Sequence, residues 1–191
     1  MLLYIHGLNS SSRSAKAGLL RGRMAALGRE RDFVCPDLPD RPRRALDGLE
    51  ALIIGAGGPV ALVGSSLGGF YATWLAEKHG LRAVLVNPAV RPHEGLRQYL
   101  GPQQNLHTGE RYELMQAHLD ELREIEVATV TRPERYLLMV ETGDEVLDYR
   151  KAVERYRGCR QMVIEGGDHG FSDFDQYLDA VLEFCGVLPL I

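Results

Sequence analysis

Six short apolar runs recur along the chain, at residues 2–5, 32–36, 60–63, 82–86, 135–140 and 161–164, and none of them alternates apolar with polar. Each is too short for a helix. A strand with one wet face alternates, so strands that do not are covered on both faces, the condition of a parallel sheet sandwiched between helices. The intervening segments have helical spacing. Ala17, Leu20, Met24 and Leu27 form one face and Gly28 stops it; Ala45, Leu49, Leu52 and Ile53 form another, ended by Gly55, Gly57 and Gly58. Further helices are expected over 70–79, 148–157 and 173–184, the last with Ser172 as its cap. Strand–helix alternation through 191 residues predicts a single α/β domain, 1–191, with one core. No internal repeat or low-complexity linker divides it.

One segment departs from the pattern. Over 89–130 Pro92, Gly95, Gly101, Pro102 and Gly109 interrupt any regular element, and 110–126 reads as a charged amphipathic helix. This is longer than one crossover helix requires. It is expected to be a small helical lid inserted after the fourth strand.

Several function classes are disfavoured. A net charge of -4 with no long run of either sign gives no footing for nucleic acid or a polybasic membrane patch. The scattered Cys35, Cys159 and Cys185 form neither a disulfide framework nor a zinc motif. The N-terminus has no basic region or cleavage site, and no apolar run approaches the ~18 residues of a membrane span, so a cytoplasmic protein is expected. Only three of 22 basic residues are lysine, a bias expected of a GC-rich bacterial genome.

The third run ends in Gly64-Ser65-Ser66-Leu67-Gly68-Gly69. Strand, Gly-x-Ser-x-Gly and helix make a nucleophile elbow, a sharp turn that lifts a serine hydroxyl above the sheet edge. Positions two before and two after the serine must be nearly free of side chain, because strand and helix backbones crowd there. Gly64 and Gly68 meet that demand for Ser66, whereas Ser65 would have Val63 and Leu67 as its crowded neighbours.

In a parallel sheet the ligand sits beyond the carboxyl ends of the strands. Those ends carry His6-Gly7-Leu8-Asn9, Ser66, Asp144 and His169. A serine needs a base, and the base an orienting partner. His169, flanked by Gly166, Gly167 and Gly170, is the candidate base, and Asp144 the candidate orienting acid. Asp148 competes for the latter role unless it caps the next helix. His6 is assigned to shaping its loop, His79 and His118 to solvent-facing positions, and His93 and His107 to the lid surface. The backbone amides of Leu67 and Leu8 are the candidate oxyanion donors.

These pieces together resemble a known family. Tyr4 to Ser11, Gly64 to Thr73, Leu85 to Ala89, Thr142 to Tyr149 and Gly166 to Phe171 are similar to segments of α/β-hydrolases, and more closely of the small bacterial esterases of the YqiA group. The resemblance implies a Ser66–Asp144–His169 triad, hydrolysis of small, short-chain acyl esters, a small-molecule ester or thioester as partner, and no cofactor. It also implies an α/β-hydrolase fold lacking the two leading antiparallel strands, with about six parallel strands in the order 2-1-3-4-5-6 and helices on both faces. The short lid argues against a deep tunnel for long acyl chains. A thioesterase or small amidase on the same triad, or a binding protein without turnover, are the alternatives. Residues 186–191 match nothing in the family.

Overall fold

The computed structural model describes residues 1–189. Among the described residues eight strands, β1 Leu2–Ile5, β2 Phe33–Val34, β3 Ala61–Ser65, β4 Arg82–Val86, β5 Gly101–Gln104, β6 Arg111–Leu114, β7 Tyr136–Glu141 and β8 Arg160–Ile164, form two sheets. Six make one parallel sheet in the order β2-β1-β3-β4-β7-β8, and β5 and β6 make a separate antiparallel hairpin. The helices are α1 Ala15–Ala26, α2 Pro42–Gly55, α3 Leu67–His79, α4 Pro92–Gly95, α5 Gln116–Glu124, α6 Tyr149–Arg155 and α7 Leu178–Phe184.

The absence of alternation in the strands has the expected cause. Side chains of odd and even positions enter two different cores. Leu3, Ile5, Leu62, Leu85 and Leu138 meet α2, α3 and α5 on one face. Leu2, Tyr4, Val63, Val84, Val86 and Met139 meet α1 and α7 on the other. Each fully buried Leu or Val contributes about 1.5–3 kcal/mol, so the central strands are tied to both layers. The edge strand β8 is the exception, with Val163 47% exposed. Leu2 pairs with both Phe33 and Ala61, Ser65 with Val86, and Glu141 with Ile164. This parallel register brings the strand ends Ile5, Ser65, Val86, Glu141 and Ile164 to one rim.

Segment 89–130 divides differently from the expectation. The charged helix begins only at Gln116, because residues 111–114 pair with 101–104 as a hairpin. Leu119 and Leu122 of α5 enter the core beside α2, so this helix is the crossover between β4 and β7. The hairpin residues are mostly exposed. Ser172 does not cap a helix either. Its hydroxyl donates to Asp168, and the last helix starts at Leu178 after a 3-10 turn, Phe174–Tyr177. Val187 and Leu188 pack on the α1/α7 core; Leu190 and Ile191 lie outside the described residues. Among the described residues no helix is long and apolar enough to cross a membrane.

Candidate active site

Ser66 stands between β3 and α3 with φ 53° and ψ -121°, a conformation that non-glycine residues rarely adopt. Its amide donates to Val86 O at 3.0 Å, and its carbonyl accepts from the amides of Gly69 at 2.9 Å and Ala89 at 3.0 Å. The glycines around it permit the turn. A Cβ on Gly64 would overlap the Gly68 carbonyl and lie 2.8 Å from Ala72 Cβ; one on Gly68 would overlap the Ile5 carbonyl and lie 2.7 Å from His6 O. Ser65 is buried in the strand, and of residues 61–73 Ser66 alone is half-buried, the others being buried.

The structure brings Ser66, His169 and Asp144 together. His169 Nε2 lies 3.1 Å from Ser66 Oγ, and His169 Nδ1 lies 2.8 Å from Asp144 Oδ2. The carboxylate at Nδ1 places the proton there and leaves the Nε2 lone pair facing the serine. The Asp144 side chain is 1% exposed and its other oxygen, Oδ1, accepts the Val146 and Leu147 amides at 2.9 and 2.8 Å. Burial alone would push this carboxyl up; the His169 hydrogen bond and the two amides outweigh it and hold the carboxyl below the usual range. Asp148 is elsewhere. It caps α6 by accepting the Arg150 amide at 3.1 Å and pairs with the Arg150 guanidinium.

The loop after β1 closes the other side. His6 is buried, accepts the Leu38 amide at Nε2 (3.2 Å) and therefore donates from Nδ1 to Gly7 O (2.9 Å). Burial lowers its pKa, in keeping with a neutral ring used as a brace. A Cβ on Gly7 would lie 3.1 Å from Ser66 Cβ, so the loop passes directly over the serine. The Leu8 and Leu67 amides have no acceptor among the described residues, and both residues line a pocket of about 140 Å³. Its far wall is the hairpin. Tyr112 Oη donates to Asn9 Oδ1 (2.9 Å), Asn9 Nδ2 to Gln103 Oε1 (3.2 Å), and Asn105 Nδ2 to Ser10 O (2.7 Å), fastening β5 and β6 to the β1 loop.

Two residues that sequence reasoning passed over support the His169 loop. Asn87, at the end of β4, donates from Nδ2 to Asp168 O (3.1 Å) and His169 O (3.3 Å) and accepts the Glu141 amide at Oδ1 (3.0 Å). Glu141, the last residue of β7, accepts the Asp168 amide (2.9 Å). Their signals were an asparagine before Pro88 and a glutamate closing an apolar run. Two histidines lie deeper than expected. His118 is fully buried, with Nδ1 accepting the Met115 amide (3.0 Å) and Nε2 at 3.5 Å from Asp40; His93 is buried beside Glu126.

Comparison with known proteins places the chain. Residues 1–186 match the uncharacterised protein family UPF0227. The chain belongs to that family. Its fold is that of α/β-hydrolases. It is similar in structure to the alpha/beta hydrolase domain-containing protein 10 from mouse (TM-score 0.70, 16% identity, 95% of this chain and 89% of that one). It is also similar to Est1E from Butyrivibrio proteoclasticus with ferulic acid bound (0.69, 15%, 96% and 86%) and to a monoacylglycerol lipase from Paleococcus ferrophilus (0.69, 16%, 96% and 94%). At these identities the likeness concerns the fold, a central sheet of six parallel strands among the described residues.

Proposed function

We propose that this protein is a serine esterase that hydrolyses small, short-chain carboxylic esters through an acyl-enzyme on Ser66. The observation that carries the reading is the continuous relay from Ser66 Oγ to His169 Nε2 and from His169 Nδ1 to Asp144, at 3.1 and 2.8 Å, on a strained elbow. A free serine hydroxyl is a weak nucleophile at neutral pH and needs such a base.

In this mechanism His169 Nε2 takes the Ser66 proton as Oγ attacks the acyl carbon. Asp144 keeps the proton on Nδ1 and stabilises the imidazolium. The tetrahedral oxyanion accepts from the Leu8 and Leu67 amides, the latter at the N-terminus of α3, where the helix dipole adds to the field. The imidazolium then protonates the departing alkoxide, the acyl-enzyme forms, and water activated by the same histidine releases the acid. The leaving group must lie against His169. The pocket beside Leu8 and Leu67, which His169 does not line, therefore receives the acyl group. At about 140 Å³ it is below the ~300–1,000 Å³ of sites that enclose drug-sized ligands, which favours acetyl to butyryl chains over palmitoyl. The hairpin acts as the lid of this pocket.

The test is ester hydrolysis by purified protein. Acetate and butyrate p-nitrophenyl esters should be turned over about tenfold or more faster than the palmitate ester. Ser66→Ala should lower kcat by about 10⁴-fold or more while the unfolding temperature stays near wild type. Comparable activity in the variant removes Ser66 from the mechanism, and preference for the long chain removes the acyl-pocket assignment.

A further inference from the structure

Beneath the His169 loop lie two carboxyl groups that cannot both be ionised at low cost. Glu141 is 1% exposed and its Oε2 accepts the Asp168 amide at 2.9 Å. Asp173 is its neighbour, and Asp173 Oδ1 is buried with no hydrogen-bond partner among the described residues. Two carboxylates offer four acceptor oxygens and no hydrogen. Contact between them is favourable only when one carries a proton and donates it to the other. A neutral Glu141 resolves the arrangement. Its hydroxyl would then have an acceptor in Asp173, while the oxygen that accepts the Asp168 amide keeps that bond. The loop is built around this group. Gly167, at φ 74°, passes so close above it that any Cβ would overlap the Glu141 carboxyl.

We propose that Glu141 is a positioning residue for His169: a proton-bearing carboxyl, shared with Asp173, from which the 166–169 loop is hung. Asn87 holds the same loop through the Asp168 and His169 carbonyls, so the two supports grip it by its amide and carbonyl groups together. The surroundings agree in sign. Burial first, then the contact with Asp173 and the charge of Asp168, push the Glu141 carboxyl up to about 7, with the Asp168 amide opposing. The other groups facing the pair are Lys16 from α1, which donates to Gly170 O and feels the charges of Asp168, Glu141 and Asp144, and Tyr177 from the 3-10 turn, which feels Asp173 and Glu141. Lys16 favours the ionised carboxylate and Asp168 the neutral one. Asp144, paired with His169, is a further charge felt at Lys16.

The consequence is an alkaline limit on activity. As pH rises through about 7 the shared proton is lost, two charges repel under the loop, and His169 leaves its place beside Ser66. This rests on His169 being the catalytic base. Glu141→Gln separates the proton from the charge, because an amide donates to Asp173 and accepts from Asp168 at any pH. In pH profiles with p-nitrophenyl butyrate, Glu141→Gln should keep about half or more of the wild-type kcat near neutrality and lack the alkaline fall. Glu141→Ala should lose about 10- to 100-fold in kcat, with KM within about twofold. Infrared difference spectra of wild type against Glu141→Gln, which need no turnover, should show a carboxylic-acid carbonyl band near neutral pH that belongs to Glu141. Absence of that band overturns the proposal. So do a Glu141→Gln variant as impaired as Glu141→Ala, a Glu141→Gln variant that fails to fold, and an alkaline limb shared by wild type and Glu141→Gln. Lack of butyrate turnover in wild type overturns the esterase reading instead, and the infrared band then decides the shared proton by itself.

Discussion

Ser66 and His169 face each other across 3.1 Å, yet the turns that present them are held by different forces. The Ser66 turn is enclosed by glycine and apolar backbone: Gly64 against Gly68, Gly68 against the Ile5 carbonyl, and α3 buried along Phe70, Tyr71 and Ala72. None of these contacts titrates. The His169 turn is enclosed by polar groups: Asn87, Glu141, Asp173, Lys16, and Glu145, which accepts the His169 amide at 2.9 Å. Steric contact depends on shape alone, whereas a buried polar network depends on every member being satisfied in its right protonation state. The nucleophile should therefore be sensitive to volume and indifferent to pH, and the base the reverse.

The comparison can be broken on either side. On the polar side, Asp144→Asn should lower kcat by about 10³–10⁴-fold with the fold intact, because an amide at this position no longer fixes the His169 tautomer. On the apolar side, Gly68→Ala should destabilise by about 3 kcal/mol or more, since the methyl meets rigid backbone and not a movable side chain. A Tm fall of about 6–12 °C or loss of soluble protein would register it. A Gly68→Ala protein with wild-type Tm would show that the elbow is not sterically held.

A smaller effect separates the two halves by pH. Glu141 is raised in the folded state, so its contribution to stability is full below the ordinary glutamate pKa of 4.5 and is lost as pH climbs through about 7. Glu141→Gln removes that dependence. Its Tm should exceed that of wild type by about 3–8 °C at alkaline pH and converge with it in acid. The smallest effect is expected at Asp148. Asparagine caps helices as well as aspartate, so Asp148→Asn should change kcat by less than about threefold. A larger loss than at Asp144 would transfer the orienting role.

How far this was legible in the sequence follows from the same contrast. Buried parallel strands show as unbroken apolar runs, and the elbow shows as a strand ending in glycine-spaced serine, because both are local steric demands. The grouping of Ser66, His169 and Asp144 could be inferred from strand ends on one rim, whereas the strand order followed only from the family resemblance. What the sequence hid was non-local and polar. Nothing near Glu141 in the chain announces Asp173, and Asn87 meets the His169 loop 82 residues away. The hairpin was missed because residues 110–126 carry helical charge spacing throughout, and only pairing of Arg111–Leu114 with Gly101–Gln104 makes the first part a strand. His118 reads as a surface residue on a charged helix, until α5 is seen to pack over α2 as a crossover.

The most direct test of the account is covalent labelling. Wild-type protein treated with a fluorophosphonate probe should gain one adduct by intact mass, mapped by peptide sequencing to Ser66. The adduct should be lost in Ser66→Ala and slowed by about 10³-fold or more in His169→Ala. An unlabelled but folded wild type, or an adduct on Ser65 or any other residue, would contradict the assignment of Ser66 as the nucleophile.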